Sequence, residues 1–262
     1  MESPSSPASA PVQVSRLGEH QWQAHAAEQE VGRADACRRP DGRLFVSVDA
    51  WDSAVVDRLA AAVAAGLPGP LYTVVDEADE QQVARWQRAG FTPHRRERGY
   101  RLPTDPAVTG LGAVRPPEDV TILPAGQVDA GPLSALDTVI RAQVEATVGW
   151  QAVPVQVLHR PVGAPVPHPD RFAVAVAGGE YVGLLRLGPL TRQPRIGLLA
   201  VRADHQRRGI ARALLAHTLG ELHRAGTPAA WTELDESNQP AITLLESAGA
   251  RRAGGNLELV RT

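Results

Sequence analysis

Apolar residues along this chain alternate with polar ones in some stretches and recur three and four apart in others. Residues 43–50 (RLFVSVDA) read as a strand, and the Ala-rich run 52–66 has Val and Leu at helical spacing up to Gly66. LYTVVDEA is a second strand, and DEQQVARWQRAG a helix ending at Gly90. FTPHRRERGYRLPT has the pattern of paired strands, and the Pro- and Gly-rich stretch that follows reads as a linker. After it, VTILPA opens a second series. A helix is predicted over 129–149, then a Pro-broken loop, then a hairpin through Gly178-Gly179. PRIGLLAV reads as a strand, with a helix opening near Gly209. AAWTELDES is a strand, QPAITLLESAG a helix and ARRAGGNLELVRT a closing pair of strands.

The two series repeat. DEADEQQVARWQRAG (76–90) and DESNQPAITLLESAG (235–249) share their ends at a constant spacing of 159 residues, with elements in the same order around them. The boundaries predicted are a disordered tail 1–15, a first unit 16–105, a linker 106–119 and a second unit 120–262. The repeat breaks before the first helix. There the first half has only DAW, where the second has a polar stretch containing HQRRG.

Composition narrows the class. A hydrophobic fraction of 43% supports a buried core. The net charge of −2 gives no reason to expect nucleic acid or a membrane surface as partner. Every basic residue is arginine, which fits a GC-rich bacterial genome and carries no mechanism. Cys37 is the single cysteine, so no intrachain disulfide forms and a reducing cytoplasm fits. No apolar run approaches the roughly 18–20 residues of a membrane span. The N-terminal MESPSSPASAP lacks the apolar centre of a signal peptide.

The chemistry centres on LLAVRADHQRRGIARALL. The first amides of a helix lack intrahelical partners and face the positive end of the dipole. A glycine there lets backbone approach an anion, which makes a phosphate seat. An ordinary strand-to-helix turn with a solvated charged face has the same composition. The stretch is neither a Walker loop nor a dinucleotide fingerprint.

Residues 201–215 resemble the acyl-CoA motif of the GNAT superfamily of N-acyltransferases, Gln/Arg-x-x-Gly-x-Gly/Ala, through Gln206, Gly209 and Ala211. Asn238, Ala241, Leu244 and Gly249 resemble that family's downstream motif. The resemblance covers about 121–262; the first half is similar to the back part of the same fold without the CoA loop. It implies an α/β (α+β) GNAT fold in two tandem units, the first degenerate: a mixed, mostly antiparallel sheet with helices on both faces. It implies acetyl-CoA or another acyl-CoA as cosubstrate, no metal, and transfer to a primary amine of a small molecule by a cytoplasmic monomer or homodimer. Pyrophosphate would sit on the amides of Arg207, Arg208, Gly209, Ile210, Ala211 and Arg212, with Gln206 shaping the loop. The pantetheine arm would pair along Leu199, Ala200 and Val201, with the Leu199 amide as oxyanion donor. Asn238, Pro240, Ala241, Leu244 and Leu245 would form the other wall.

The family's frequent catalytic Tyr and Glu are replaced by Leu245 and Arg195. Glu233 and Asp235, which period two places on one face, are the proposed catalytic carboxylates, with Glu236 on the other face and Ser237 a weaker candidate donor to sulfur. The alternative for each acid is a solvated group or an arginine partner. Asp137, Arg141, Gln143, Glu145, Trp150 and His159 are candidates for acceptor recognition. A CoA-binding module without efficient catalysis, and a peptide or protein acetyltransferase, stand as the other functional readings.

Overall fold

The computed structural model describes residues 11–39, 41–147, 149, 165–188 and 193–262. Contacts divide the chain into two compact units: residues up to Arg95 together with Leu257–Thr262, and Arg96–Asn256.

The first unit opens with four antiparallel strands, β1 (Val12–Gly18), β2 (Gln21–Ala26), β3 (Gln29–Arg38) and β4 (Leu44–Ala50). Val12–Ser15, expected as part of a tail, lie within β1. Helix α1 (Ser53–Gly66) then leads to β5 (Leu71–Asp76), which pairs with β4 in parallel at Leu44–Leu71 and Phe45–Tyr72. Helix α2 (Glu80–Arg88) follows, and β6 (Thr92–Pro103) begins. The Ala-rich periodicity of α1 buries Val55, Leu59, Ala60 and Val63 against Trp22, Ala24 and Ala34. Leu257 and Leu259, from the end of the chain, complete the same core.

In the second unit the rest of β6 pairs antiparallel with β11 (Ala229–Asp235), from Glu97 opposite Asp235 to Pro103 opposite Ala229. The expected linker lies inside this unit and contains α3 (Pro106–Thr109). A second sheet has β7 (Val120–Leu123), β8 (Phe172–Ala177), β9 (Glu180–Leu187) and β10 (Ile196–Val201) in the order β10-β9-β8-β7. The β8–β9 turn has Gly178 at φ 58° and Gly179 at φ 83°, as the Gly-Gly pair requires. Alternate residues of β8 serve opposite faces. Phe172 and Val174 pack with Leu133, Leu136 and Ile140 of α4 (Ala130–Thr147). Ala173 and Ala175 pack with Leu214, Leu215 and Leu219 of α5 (Ile210–Arg224) and Leu245 of α6 (Gln239–Ser247). Burial of each such leucine contributes about 1.5–3 kcal/mol, which fixes α5 on the sheet and with it the loop at its N-terminus.

The last strand, β12 (Arg251–Arg261), is one continuous strand, as is β6. Both segments were expected as pairs of strands. Gly99 stays in register opposite Glu233, and Gly254, at φ 93°, remains within β12.

The repeat extends to individual hydrogen bonds. The Asp79 side chain caps α2 by accepting from the Gln82 amide at 2.9 Å, and Asn238 caps α6 by accepting from the Ala241 amide at 3.2 Å. Gly90 (φ 89°) and Gly249 (φ 75°) close these helices. The units diverge at one turn: Trp51 and Asp52 alone join β4 to α1, whereas Arg202–Gly209 join β10 to α5.

Candidate active site

Strand β10 is the edge of its sheet, and it meets β11 only at its start. The Trp231 amide donates to the Pro194 carbonyl at 2.9 Å, Arg195 and Trp231 form a parallel bridge, and Thr232 Oγ1 donates to the Ile196 carbonyl at 2.9 Å. Beyond that bridge the two strands belong to different sheets and share no ladder among the described residues. Gly197–Val201 therefore keep one open edge along a fork. A bulge lies at the same place: Ile196 faces Leu187 and Leu198 faces Arg186, so Gly197 is the extra residue. Arg186 lies over it, with Nη2 2.9 Å from where a Cβ would be, so a larger residue at 197 would meet that guanidinium.

The loop after β10 is held from several sides. Gln206 Nε2 donates to the Val201 carbonyl at 3.0 Å, tying the loop back to the strand. The Ala203 amide donates to Gln143 Oε1 at 3.2 Å, so Gln143, expected at the acceptor, supports this loop. Arg208 donates to Asp119 at 2.6 Å, and Arg202 to Asp204 at 2.7 Å and Glu180 at 2.8 Å. The hydrogen bond from Arg208 holds the Asp119 carboxyl below its ordinary value, and that from Arg202 does the same for Asp204. Depressed folded values mean that these pairs act above the ordinary aspartate range and are lost only as pH falls through the lowered values.

Arg207 is left with φ 62° and Gly209 with φ 86°, both in the left-handed region. Gly209 caps α5 without any side-chain hydrogen bond. Among the described residues, the amides of Arg207 to Arg212 bond to no backbone carbonyl outside a helix, which leaves an anion-binding nest at a helix N-terminus. At the matching turn of the first unit, the Asp52 carboxylate accepts from the Ala54 amide at 2.7 Å. An acid thus occupies that helix N-terminus.

Other predicted residues fall into distinct roles. Leu199 and Ala200 are half-buried on the open edge of β10, while Val201, Ile210 and Leu245 turn into the core. Ile210 and Val201 can therefore meet a ligand only through backbone. Pro240 is exposed, Ala241 and Leu244 are half-buried, and the Asn238 side chain caps α6. Arg212 donates to Ser247 Oγ at 3.0 Å, linking α5 to α6. Asp137 is buried and accepts from Arg141 Nε at 2.6 Å; Glu145 is exposed. Trp150 and His159 lie outside the described residues.

Both candidate acids have partners. Glu233 Oε2 accepts from Arg195 Nη2, and its Oε1 accepts from Trp231 Nε1 at 3.2 Å. Asp235 is buried, and its Oδ1 accepts from the amide of Ser237 at 2.9 Å and from its hydroxyl at 2.5 Å, closing the turn into α6. Glu236 pairs with Arg98 at 2.9 Å. Sequence reasoning missed Trp231 and Gly99. The indole lies across Gly99, with Cζ2 2.5 Å from an ideal Cβ there. Gly99→Ala should displace the indole and lower stability by about 1–3 kcal/mol in denaturant unfolding; an unchanged unfolding midpoint would show that Trp231 does not depend on the gap.

A sheet forked in this way beside an open helix N-terminus places the chain among proteins of the GNAT fold. Residues 142–250 match the model of the acetyltransferase (GNAT) family. The fold extends over nearly all of the chain. A GCN5-related N-acetyltransferase from Sphaerobacter thermophilus is similar at a TM-score of 0.64 and 17% identity, over 94% of this chain and 81% of that one. A tandem GNAT protein from the clavulanic acid biosynthesis pathway is similar at a TM-score of 0.63 and 15% identity, over 97% of this chain and 84% of that one. Among curated proteins, the [ribosomal protein bS18]-alanine N-acetyltransferase of Escherichia coli K12 is 46% identical over 55 residues, 21% of this chain. The matched stretch spans 37% of that relative's length. Among the described residues no helix is long and apolar enough to cross a membrane, and no group of His, Cys, Asp and Glu forms a metal site.

Proposed function

We propose that the second unit is an acyl-CoA-dependent N-acyltransferase, in its simplest form an acetyltransferase, acting on a primary amine of a small molecule. The observation that carries this reading is the alignment of two recognition surfaces: the open edge of β10 leads directly into the open amides of 207–212. Pantetheine adds as a strand to the first, and pyrophosphate sits on the second. The amine attacks the thioester carbon while its carbonyl oxygen accepts from the Leu199 amide; the C–S bond then breaks and the thiolate leaves. The ammonium proton passes through a water to Glu233. Positioning supplies several kcal/mol of the barrier reduction, which suits a site where Leu245 and Arg195 stand in place of the family's frequent acid and base.

A protein N-terminus is the second reading of the acceptor, supported by the local identity to the Escherichia coli enzyme named for a ribosomal alanine. The test is thiol release from acetyl-CoA by the full chain against a panel of small amines and a peptide with N-terminal alanine. Tight acetyl-CoA binding with no release beyond hydrolysis would leave the CoA-binding module as the function.

The first unit is proposed to bind no acyl-CoA, because Asp52 caps the helix where a phosphate would sit and the turn is too short to form a nest. Calorimetry on the full chain should give one acetyl-CoA per chain; two equivalent sites would overturn this.

A further inference from the structure

We propose that Thr232 sets the length of the acyl group that the fork accepts. The proposal rests on the acyltransferase reading and concerns how the fork is closed.

In a parallel pair, alternate residues of one strand bond across the same edge. After Trp231 N–H to the Pro194 carbonyl, the next rung would run from the Glu233 amide to the Ile196 carbonyl. The Arg195–Trp231 bridge stays isolated and does not continue into a ladder. The Ile196 carbonyl accepts from the Thr232 hydroxyl at 2.9 Å. A side chain thus takes the place of the ladder at the point where the strands part. Thr232 is buried, so its hydroxyl would be costly to leave without this acceptor. The clasp closes the end of the fork opposite the phosphate loop.

The bulge decides how far away that end lies. Ile196 faces Leu187 and Leu199 faces Leu185, so three steps along β10 cover two along β9. At about 3.3 Å per residue this is about 7 Å between the clasp and the amide that would hold the thioester carbonyl. An apolar contact takes up about 4 Å of it, leaving about 3 Å beyond the carbonyl. One or two carbons fit. Acetyl and propionyl groups are accommodated, whereas butyryl and longer chains meet the Thr232–Ile196 bond.

The test is calorimetry of the full chain with CoA and with acetyl-, propionyl-, butyryl- and hexanoyl-CoA. The wild type should bind hexanoyl-CoA about tenfold or more weakly than acetyl-CoA. Thr232→Val keeps the branched shape and loses only the hydroxyl; Thr232→Ala also adds room. Both should narrow the hexanoyl-to-acetyl ratio by about threefold to tenfold, and Thr232→Ser, which keeps the donor, should preserve it. Thermal unfolding of each variant reports whether the fold is kept, and the serine variant alone still tests the proposal if the others do not fold, since a changed ratio there contradicts it. A wild type indifferent to chain length, or folded Val and Ala variants with the wild-type ratio, overturns the role of Thr232. Failure of the wild type to bind CoA or any of its thioesters is a different result, and it removes the acyltransferase reading itself.

Discussion

Gly209→Val is expected to weaken acetyl-CoA binding by roughly tenfold, and Arg207→Ala to change it by only a few-fold. The difference follows from what each residue supplies. Gly209 holds φ 86°, where a β-branched residue carries a conformational penalty of about 1–2 kcal/mol or more. Among the described residues other than its two chain neighbours, nothing lies within 4 Å of an ideal Cβ on Gly209, so packing against the fold would not be the cause of the loss. The cause is displacement of the amides that follow, together with the room an anion needs. Arg207 offers an exposed charge, which salt screens. Its own left-handed φ of 62° belongs to the nest, and alanine leaves that backbone requirement in place. Calorimetry on both variants decides it: a larger loss from Arg207→Ala would show that side-chain charge, and not backbone, holds the cosubstrate.

Glu233→Gln is expected to lower turnover by about 10²–10⁴-fold, the range of a positioned general base, and to leave acetyl-CoA affinity nearly unchanged. The carboxylate sits at the closed end of the fork, oriented through one oxygen by Arg195 and through the other by Trp231. Two of its roughly four acceptor positions remain for a water and the incoming amine. Glutamine keeps the shape and loses the basic oxygen. Asp235→Asn is the companion variant. Its oxygen already receives both Ser237 donors, so the smaller kinetic effect is expected there. If Glu233→Gln, Asp235→Asn and the double variant all keep near-normal turnover on a confirmed acceptor, the proton leaves to solvent without a protein base.

Between β4 and α6 the sequence carried the other strands and the longer helices, though not α3 or the unbroken run of β6, because their periods are clean and their breaks fall at Gly, Pro or a capping Asp or Asn. It did not carry β1 to β3. The β2–β3 turn has Ala27 at φ 55°, so the glycine or asparagine that announces a hairpin is missing. The nest was legible through Gln206 and Gly209, since a motif of nearby residues needs no tertiary information. Period two placed Glu233 and Asp235 on one face of β11; the Trp231 indole that bonds to Glu233 at 3.2 Å was not part of that reading. The partners across the fork were not legible. Arg195 meets Glu233 over 38 residues and Thr232 meets Ile196 over 36, and no local pattern encodes either contact. A glycine inside a strand is the usual mark of a bulge, and Gly197 in PRIGLLAV was such a mark, left unread.

The closing strand bears on synthesis. Leu257 and Leu259 are buried in the core that also holds Trp22 and Leu59. A ribosome that has released the first hundred residues has therefore released β1 to β5 without the strand that finishes their core. Until Leu257–Thr262 emerge, those strands must wait, while most of Arg96–Asn256 is already available to fold. Domains ordinarily fold in the order they are made. Here the unit that starts first finishes last, so a stalled or prematurely ended translation product would expose the early sheet and leave it prone to proteolysis or aggregation.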